Sequence, residues 1–573
     1  MNGIFDNLLK NEIIGYFEYE SANWVKSLTN SELVANLVLF LTYRYENGDS
    51  CIDLTEIEEK KLLDLIEVNG FDYEFVFPNI HKLKEEINKY ELLKEFFTIF
   101  DNKLFIKRVF DYEKVIVDKI KILANRRRIL KTFFWDNSLN KLQNLAVNLS
   151  LLNNFLVISG GPGTGKTTVI KKIIESLLKE DSKHKIAISA PTGKAVSRII
   201  ESFKDTSFVD MIEPPCTIHR LLGANNRRMS FYYNEDNKLP YDIVIIDEVS
   251  MVDVELFYHL LNALKDDVRL ILIGDKNQLS SVEAGAVMGE LCSINDYYDV
   301  NGLNVFTKSV GELFNIDVEV LDTENTLLDC LIEFEESYRF DSNSGIALIA
   351  EAIKSVNINK LEELLNSPNR YDDLVLVDFD KSFIEKVVNN YREEIKRDFK
   401  KAIDKLKVLT PYRKGVFGSE NLNFIIDKKL KELFDGKDWY NGKQVIINKN
   451  DYLNDLYNGD MGIVEVEDNK SYFLFYDLNS KEYRKIAESL VSGYELGYVL
   501  TVHKSQGSEF DDVYFVLGNK DSEMLTRELV YTAITRGKDR VVIAGSKDVL
   551  INAVKRKTNR KSVIGKLLYG SSQ

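Results

Sequence analysis

The chain has 573 residues, 45% of them hydrophobic and 29% charged, with a formal net charge of −15, which is length enough for roughly three to five domains. The longest early apolar stretch, residues 33–43, is too short to span a bilayer, no basic leader opens the chain, and Cys51, Cys216, Cys292 and Cys330 lack paired spacing. A membrane span, export and a disulfide or zinc framework are therefore not expected, and the chain is expected in the reducing cytoplasm.

Residues 1–135 are helical in pattern, with apolar periodicity over 32–43 and 80–100, and form an expected accessory domain. From 136 to 335 strands and helices alternate. Runs at 155–159, 186–190, 243–247 and 268–274 read as strands, each followed by turn residues and a helical segment, which predicts a parallel α/β sheet with ligand at the strand C-termini. Residues 296–335 are less regular. A second α/β stretch fills 336–573, with strands at 374–378, 407–410, 498–500 and 513–517, interrupted over about 443–487 by short strands and turns that predict a small β-barrel insertion. A hairpin is expected within 226–240, either a strand-separating pin or a surface ribbon. Two basic clusters, Arg126-Arg127-Arg128 and Lys555 to Lys561, read as solvated faces or as contacts to DNA or a partner. The acidic total leaves room for a local positive channel.

Chemistry concentrates at Gly160, Gly161, Pro162, Gly163, Thr164, Gly165, Lys166, Thr167 and Thr168. This is the phosphate-binding pattern G-x-x-x-x-G-K-[ST] between a strand and an amphipathic helix. Glycines let backbone N–H groups turn toward an anion, Lys166 reaches outer phosphates, and Thr167 offers a hydroxyl to Mg²⁺. Asp247 and Glu248 end the next buried strand, one suited to Mg²⁺ through water and the other to taking a proton from an attacking water. Gln278 follows another strand and is a γ-phosphate sensor candidate. Gln143, ahead of the first strand, carries the paired donor and acceptor that adenine requires. Arg339 and Arg536, in the second α/β domain, are candidates to reach the γ-phosphate across a cleft. Thr192, Thr217, His219, Tyr412, Thr501 and His503, with Gly193, are candidates for a DNA strand. The run 377–381 carries carboxylates beside a lysine but reads as an exposed turn, so no nuclease centre is expected.

The order of these motifs resembles the superfamily-one DNA helicases over most of residues 139–545. SAPTGKAVSR (189–198), TIHRLLG (217–223), IIDEVSMVD (245–253), GDKNQLSSVEAG (274–285), ESYRF (336–340), LTPYRKGVFG (409–418), TVHKSQGSEF (501–510) and LVYTAITRGKDR (529–540) carry the likeness. Within that superfamily the wording is similar to the RecD family, and the likeness extends nearly end to end. One departure is Gly537, where that family is expected to be more basic. The resemblance implies two RecA-like P-loop domains, an N-terminal helical domain that contacts partners, and an SH3-like barrel insertion. It implies an ATP- and Mg²⁺-dependent 5′→3′ DNA helicase, with Glu509 at the nucleotide. It further implies a heterotrimer with a RecB-like helicase-nuclease and a RecC-like scaffold, acting on single strands and duplex ends in double-strand-break repair and recombination. Two other readings stay open: a free-standing relative, and an ATP-binding regulatory subunit that does not unwind.

Overall fold

The computed structural model describes residues 3–570 apart from 69, 226–229, 301, 315–318, 342, 367–369, 452 and 478–481. The first motor sheet has six parallel strands in the order Leu331–Phe334, Phe155–Gly160, Arg269–Gly274, Ile243–Ile246, Ile186–Ala190 and Cys216–Thr217. Its central strands are buried on both faces, so they read in sequence as unbroken apolar runs. Alternation reappears in the packing. Val157, Val244, Ile246, Leu270 and Leu272 enter one core, whereas Leu156, Ile158, Ile243, Ile245, Ile271 and Ile273 enter the other. Each such side chain contributes about 2 kcal/mol of burial.

The second sheet is also parallel, in the order Leu374–Val377, Gly537–Gly545, Phe510–Gly518, Leu406–Thr410 and Val499–Thr501. Gly537 opens one of these strands, where a Cβ would lie 2.5 Å from Val541 Cγ2. That close approach accounts for glycine after Arg536.

The insertion is a five-stranded antiparallel sheet that runs past residue 487, ordered Glu482–Ala487, Lys470–Asp477, Met461–Glu467, Gln444–Ile447 and Tyr494–Leu496. Its two outermost strands are not paired with one another. Buried polar groups fix its root: Lys407 Nζ donates to Gln444 Oε1 at 2.6 Å and to the Gly497 carbonyl at 2.8 Å.

The N-terminal region is not purely helical. Helices Tyr16–Thr29 and Glu32–Glu46 pack together beside a three-stranded antiparallel sheet of Cys51–Asp53, Lys103–Ile106 and Phe97–Phe100. The segment expected to be helical over 80–100 is a helix only at Ile80–Asn88; a 3-10 turn and the strand Phe97–Phe100 follow. Strands of three or four residues are too short to impose a visible alternation.

Both basic clusters serve as clamps. Arg127 pairs with buried Asp329, Arg128 Nε donates to Asn154 Oδ1 at 2.8 Å, and Arg126 donates to the Asp266 carbonyl. At the other end the chain leaves the second lobe after helix Lys547–Lys555 and returns to the first. Arg560 donates to the carbonyls of Glu283 at 2.7 Å and Gly285 at 3.1 Å, and Ser50 N donates to the Lys561 carbonyl at 2.9 Å. Among the described residues no helix is long and apolar enough to cross a membrane.

Candidate active site

The strand Phe155–Gly160 ends in a loop that feeds the helix Lys166–Glu180. Gly163 and Gly165 take φ of 77° and 83°, left-handed values that L side chains adopt only with strain. Space excludes a side chain there as well. A Cβ on Gly163 would stand 2.3 Å from Arg339 Cβ, and one on Gly165 would stand 2.5 Å from Gln143 Nε2. Lys166 Nζ bonds back to the loop, donating to the carbonyls of Gly160 at 2.5 Å and Gly161 at 2.9 Å. Thr164 is buried and donates to the Gly161 carbonyl, while Thr167 and Thr168 are exposed.

Gln143 lines the same cleft, but its amide is engaged by the protein. Its Oε1 accepts from Asn140 N at 3.0 Å, closing a capping box, and its Nε2 donates to the Thr164 carbonyl at 3.0 Å. Here the side chain braces the loop.

Asp247 follows the strand Ile243–Ile246, and its Oδ1 accepts from Glu248 N at 2.8 Å. Its carboxyl is pushed up, first by burial and then by the neighbouring Glu248 charge. Glu248 itself adopts φ 54°, ψ 41°. A left-handed non-glycine residue costs about 1–2 kcal/mol, and here it turns two adjacent acids in different directions. Gln278 Nε2 donates to Asp275 Oδ2 at 3.2 Å in the turn after strand Arg269–Gly274.

The second lobe closes over this edge. Tyr531 OH donates to Asp275 Oδ2 at 3.2 Å, Leu279 N donates to Thr532 Oγ1 at 2.8 Å, and Gln506 Nε2 donates to the Leu279 carbonyl at 2.7 Å. Tyr338 N donates to the Gly163 carbonyl and Ser337 Oγ to the Pro162 carbonyl, so the segment carrying Arg339 lies on the loop itself. Arg536 is 2% exposed; its Nε and Nη1 donate to the carbonyls of Thr532 and Ser508. Between the lobes lies a cavity of about 650 Å³ whose walls include Lys166, Asp247, Glu248, Gln278, Arg339 and Arg536. Glu509 and Arg198 also line it.

The residues expected at a DNA strand fall at the other end of each sheet. In the first sheet Thr192 and Gly193 follow Ile186–Ala190, and Thr217 ends its neighbour Cys216–Thr217. Both threonines cap helices, accepting from Ala195 N and Arg220 N, and His219 is exposed beside them. In the second sheet Thr501 ends Val499–Thr501, paired with Leu406–Thr410. Thr501 and His503 line a second cavity of about 460 Å³ with Arg413, Lys504 and the exposed Val282. Tyr412 does not: its ring packs against the second-lobe core. Burial and then nearby Arg560 push the His503 imidazole down, toward the neutral form.

Residues 143–284 match the family model of an AAA domain, and residues 496–544 match that of a UvrD-like helicase C-terminal domain. The chain is 33% identical to the RecBCD enzyme subunit RecD of Haemophilus influenzae, over 81% of this chain and 80% of that one. The chain belongs to the RecD family of superfamily-one helicases. The RecD subunit of Buchnera aphidicola subsp. Schizaphis graminum is 29% identical over 79% of this chain and 82% of its own. The ATP-dependent RecD2 DNA helicase of Deinococcus radiodurans is 29% identical over 69% of this chain and 47% of its own. Among solved structures, Bacteroides Pif1 bound to ssDNA aligns with 74% of this chain and 95% of its own, at 16% identity and a TM-score of 0.40.

Sequence reasoning about this RecD-family chain left three groups at the cleft without a part in nucleotide chemistry. Tyr531 and Thr532 sit inside LVYTAITRGKDR, read only for Arg536, and Arg198 inside SAPTGKAVSR, read for the DNA strand. Their proximity depends on the closed seam, which no local pattern encodes. Asp380, in the acidic run 377–381, is the N-cap of helix Lys381–Asp398 and accepts from Phe383 N at 2.9 Å. Of the hairpin expected within 226–240, residues 226–229 lie outside the described residues; Ser230–Phe231 pairs antiparallel with Ala224–Asn225, ahead of the expected segment.

Proposed function

We propose that this RecD-family helicase hydrolyses ATP to move 5′→3′ along a DNA strand. In this reading it is the motor subunit of a cytoplasmic exodeoxyribonuclease V-like complex, beside a RecB-like helicase-nuclease and a RecC-like scaffold, in double-strand-break repair and recombination. One observation carries the ATPase part. Lys166, Asp247 and Glu248 from one lobe and Arg339 and Arg536 from the other converge on a single cavity. The subunit reading draws on relatives named as RecBCD subunits that match over about four fifths of both chains, whereas RecD2 is matched over 47% of its length.

Lys166 exchanges loop carbonyls for the outer phosphates of ATP, and the backbone N–H groups of 161–168 surround them. The Thr167 hydroxyl and the half-buried Asp247 carboxylate are oxygen donors of the type Mg²⁺ takes. An anionic Asp247 with no cation beside it is disfavoured by burial, so the donor set fits that ion. Bound there, Mg²⁺ would neutralise phosphate charge. Glu248 accepts the proton of the attacking water, and Gln278 senses the γ-phosphate. Arg339 and Arg536 stabilise charge on the transferred group from the far side. Hydrolysis removes the anion that holds the lobes together, and the threonines and histidines at the two sheet edges alternate their grip.

The test is unwinding of short duplexes with a 5′ or a 3′ single-stranded tail, with Lys166→Ala as control. Unwinding from the 5′ tail alone, absent in the variant, is the expected result. Unwinding from the 3′ tail alone contradicts the polarity, and co-purification of two large subunits tests the partnership separately.

A further inference from the structure

The helix Gly193–Phe203 joins the two ligand regions. Thr192 and Gly193 open it at the sheet edge, and five residues on Arg198 reaches the nucleotide cavity. From the second lobe, the loop carrying Gly507 and Glu509 packs along the same stretch. A Cβ on Gly507 would lie 3.6 Å from Thr192 Oγ1. Arg198 meets Glu509 in a two-point contact across the cleft, Nη1 to Oε1 and Nη2 to Oε2, both at 3.3 Å.

Glu509 is shared. Its Oε1 also accepts from Arg339 Nη2 at 2.6 Å. Burial would push this carboxylate up, but Arg198 and Arg339, with Arg536 beyond them, hold it at about 2, an anion at every working pH. Arg339 Nη1 is buried with no hydrogen-bond partner. A guanidinium N–H left so is costly unless an anion answers it.

We infer that Arg198 is a positioning residue of the ATPase, which shares the Glu509 carboxylate with Arg339 and so lets Arg339 leave it for a triphosphate. This rests on reading the cleft as an ATPase site. Glu509 and the outer phosphates are anions that compete for the same guanidiniums. While Arg198 balances part of the Glu509 charge, its hold on Arg339 is weakened. Without Arg198 the carboxylate is left to Arg339 and competes better with substrate for it.

Steady-state hydrolysis by the full chain, with a saturating single-stranded oligonucleotide, tests this in wild type, Arg198→Ala, Glu509→Gln and the double variant. Arg198→Ala is expected to lower kcat/KM for ATP about tenfold, because Arg339 is held from the triphosphate both when it binds and when it reacts. Adding Glu509→Gln is expected to raise kcat/KM at least about threefold above that of Arg198→Ala alone, a rescue that neither a structural role nor direct phosphate binding by Arg198 gives. A double variant no better than Arg198→Ala, or an Arg198→Ala with unchanged kcat/KM, overturns the inference. If Arg198→Ala does not fold, Arg198→Lys keeps the charge without the two-point contact. A smaller fall in kcat/KM, reversed by Glu509→Gln, then supports the pair, and an unreversed fall overturns it. A wild-type chain that hydrolyses no ATP would instead contradict the ATPase reading itself.

Discussion

The central strands of the first motor sheet and the short edge strands of both sheets are built differently. Phe155–Gly160, Ile243–Ile246 and Arg269–Gly274 are wholly buried, and their C-terminal turns supply Lys166, Asp247 and Gln278 to one cavity. At the edges, Cys216–Thr217 and Val499–Thr501 are two and three residues long and end in the threonines proposed to hold a strand. Strands packed on both faces suit a reaction whose groups must be held within about 0.5 Å. Short edge strands leave room for a backbone to slide past and be released.

The largest effect that sharpens this contrast is at Lys166. Lys166→Ala is expected to lower kcat/KM for ATP by at least about 10³, because the phosphates lose their main counter-charge; a coupled ATPase assay measures it. Arg339→Ala should lower kcat by about 10²–10³, the range for losing one preorganised donor to charge in the transition state. A fall confined to KM would remove Arg339 from the reaction and leave it a binding group.

At the edge the expected effects are smaller and of another kind. Arg413→Ala is expected to weaken single-stranded DNA binding about three- to tenfold and to reduce the slope of log K against log salt by about 1, as loss of one phosphate contact requires. Fluorescence anisotropy over a salt series checks both, and an unchanged slope places Arg413 off the strand. The smallest change is Tyr531→Phe, which removes the hydroxyl donated to Asp275 across the seam. About 1 kcal/mol of unfolding free energy is the expected cost by urea titration.

The same contrast explains what could be read in advance. The phosphate loop is legible because its anion site is made by consecutive residues, and the buried strands are legible as apolar runs. The Arg198 and Glu509 pair is not, since the two residues lie 311 positions apart and meet across the seam between the lobes. Charge in sequence also carried no address: Arg126 to Arg128 and Arg560 are spent on carbonyls and carboxylates of the protein itself. Tyr412, expected at a strand from its motif, is half-buried against the second-lobe core, and the cavity wall beside it is Arg413. In the N-terminal region three short strands were hidden beneath helical periodicity on either side.

The division of labour between central and edge strands is tested most directly by measuring two affinities on two variants. A fluorescent ATP analogue and a fluorescent single-stranded oligonucleotide would each be titrated, the latter without nucleotide, into Lys166→Ala and Arg413→Ala. The expected result is crossed: Lys166→Ala loses the nucleotide and keeps the oligonucleotide, and Arg413→Ala weakens only the oligonucleotide. If each variant weakened both ligands alike, the two sites would be one, and the separation argued from the sheets would be wrong.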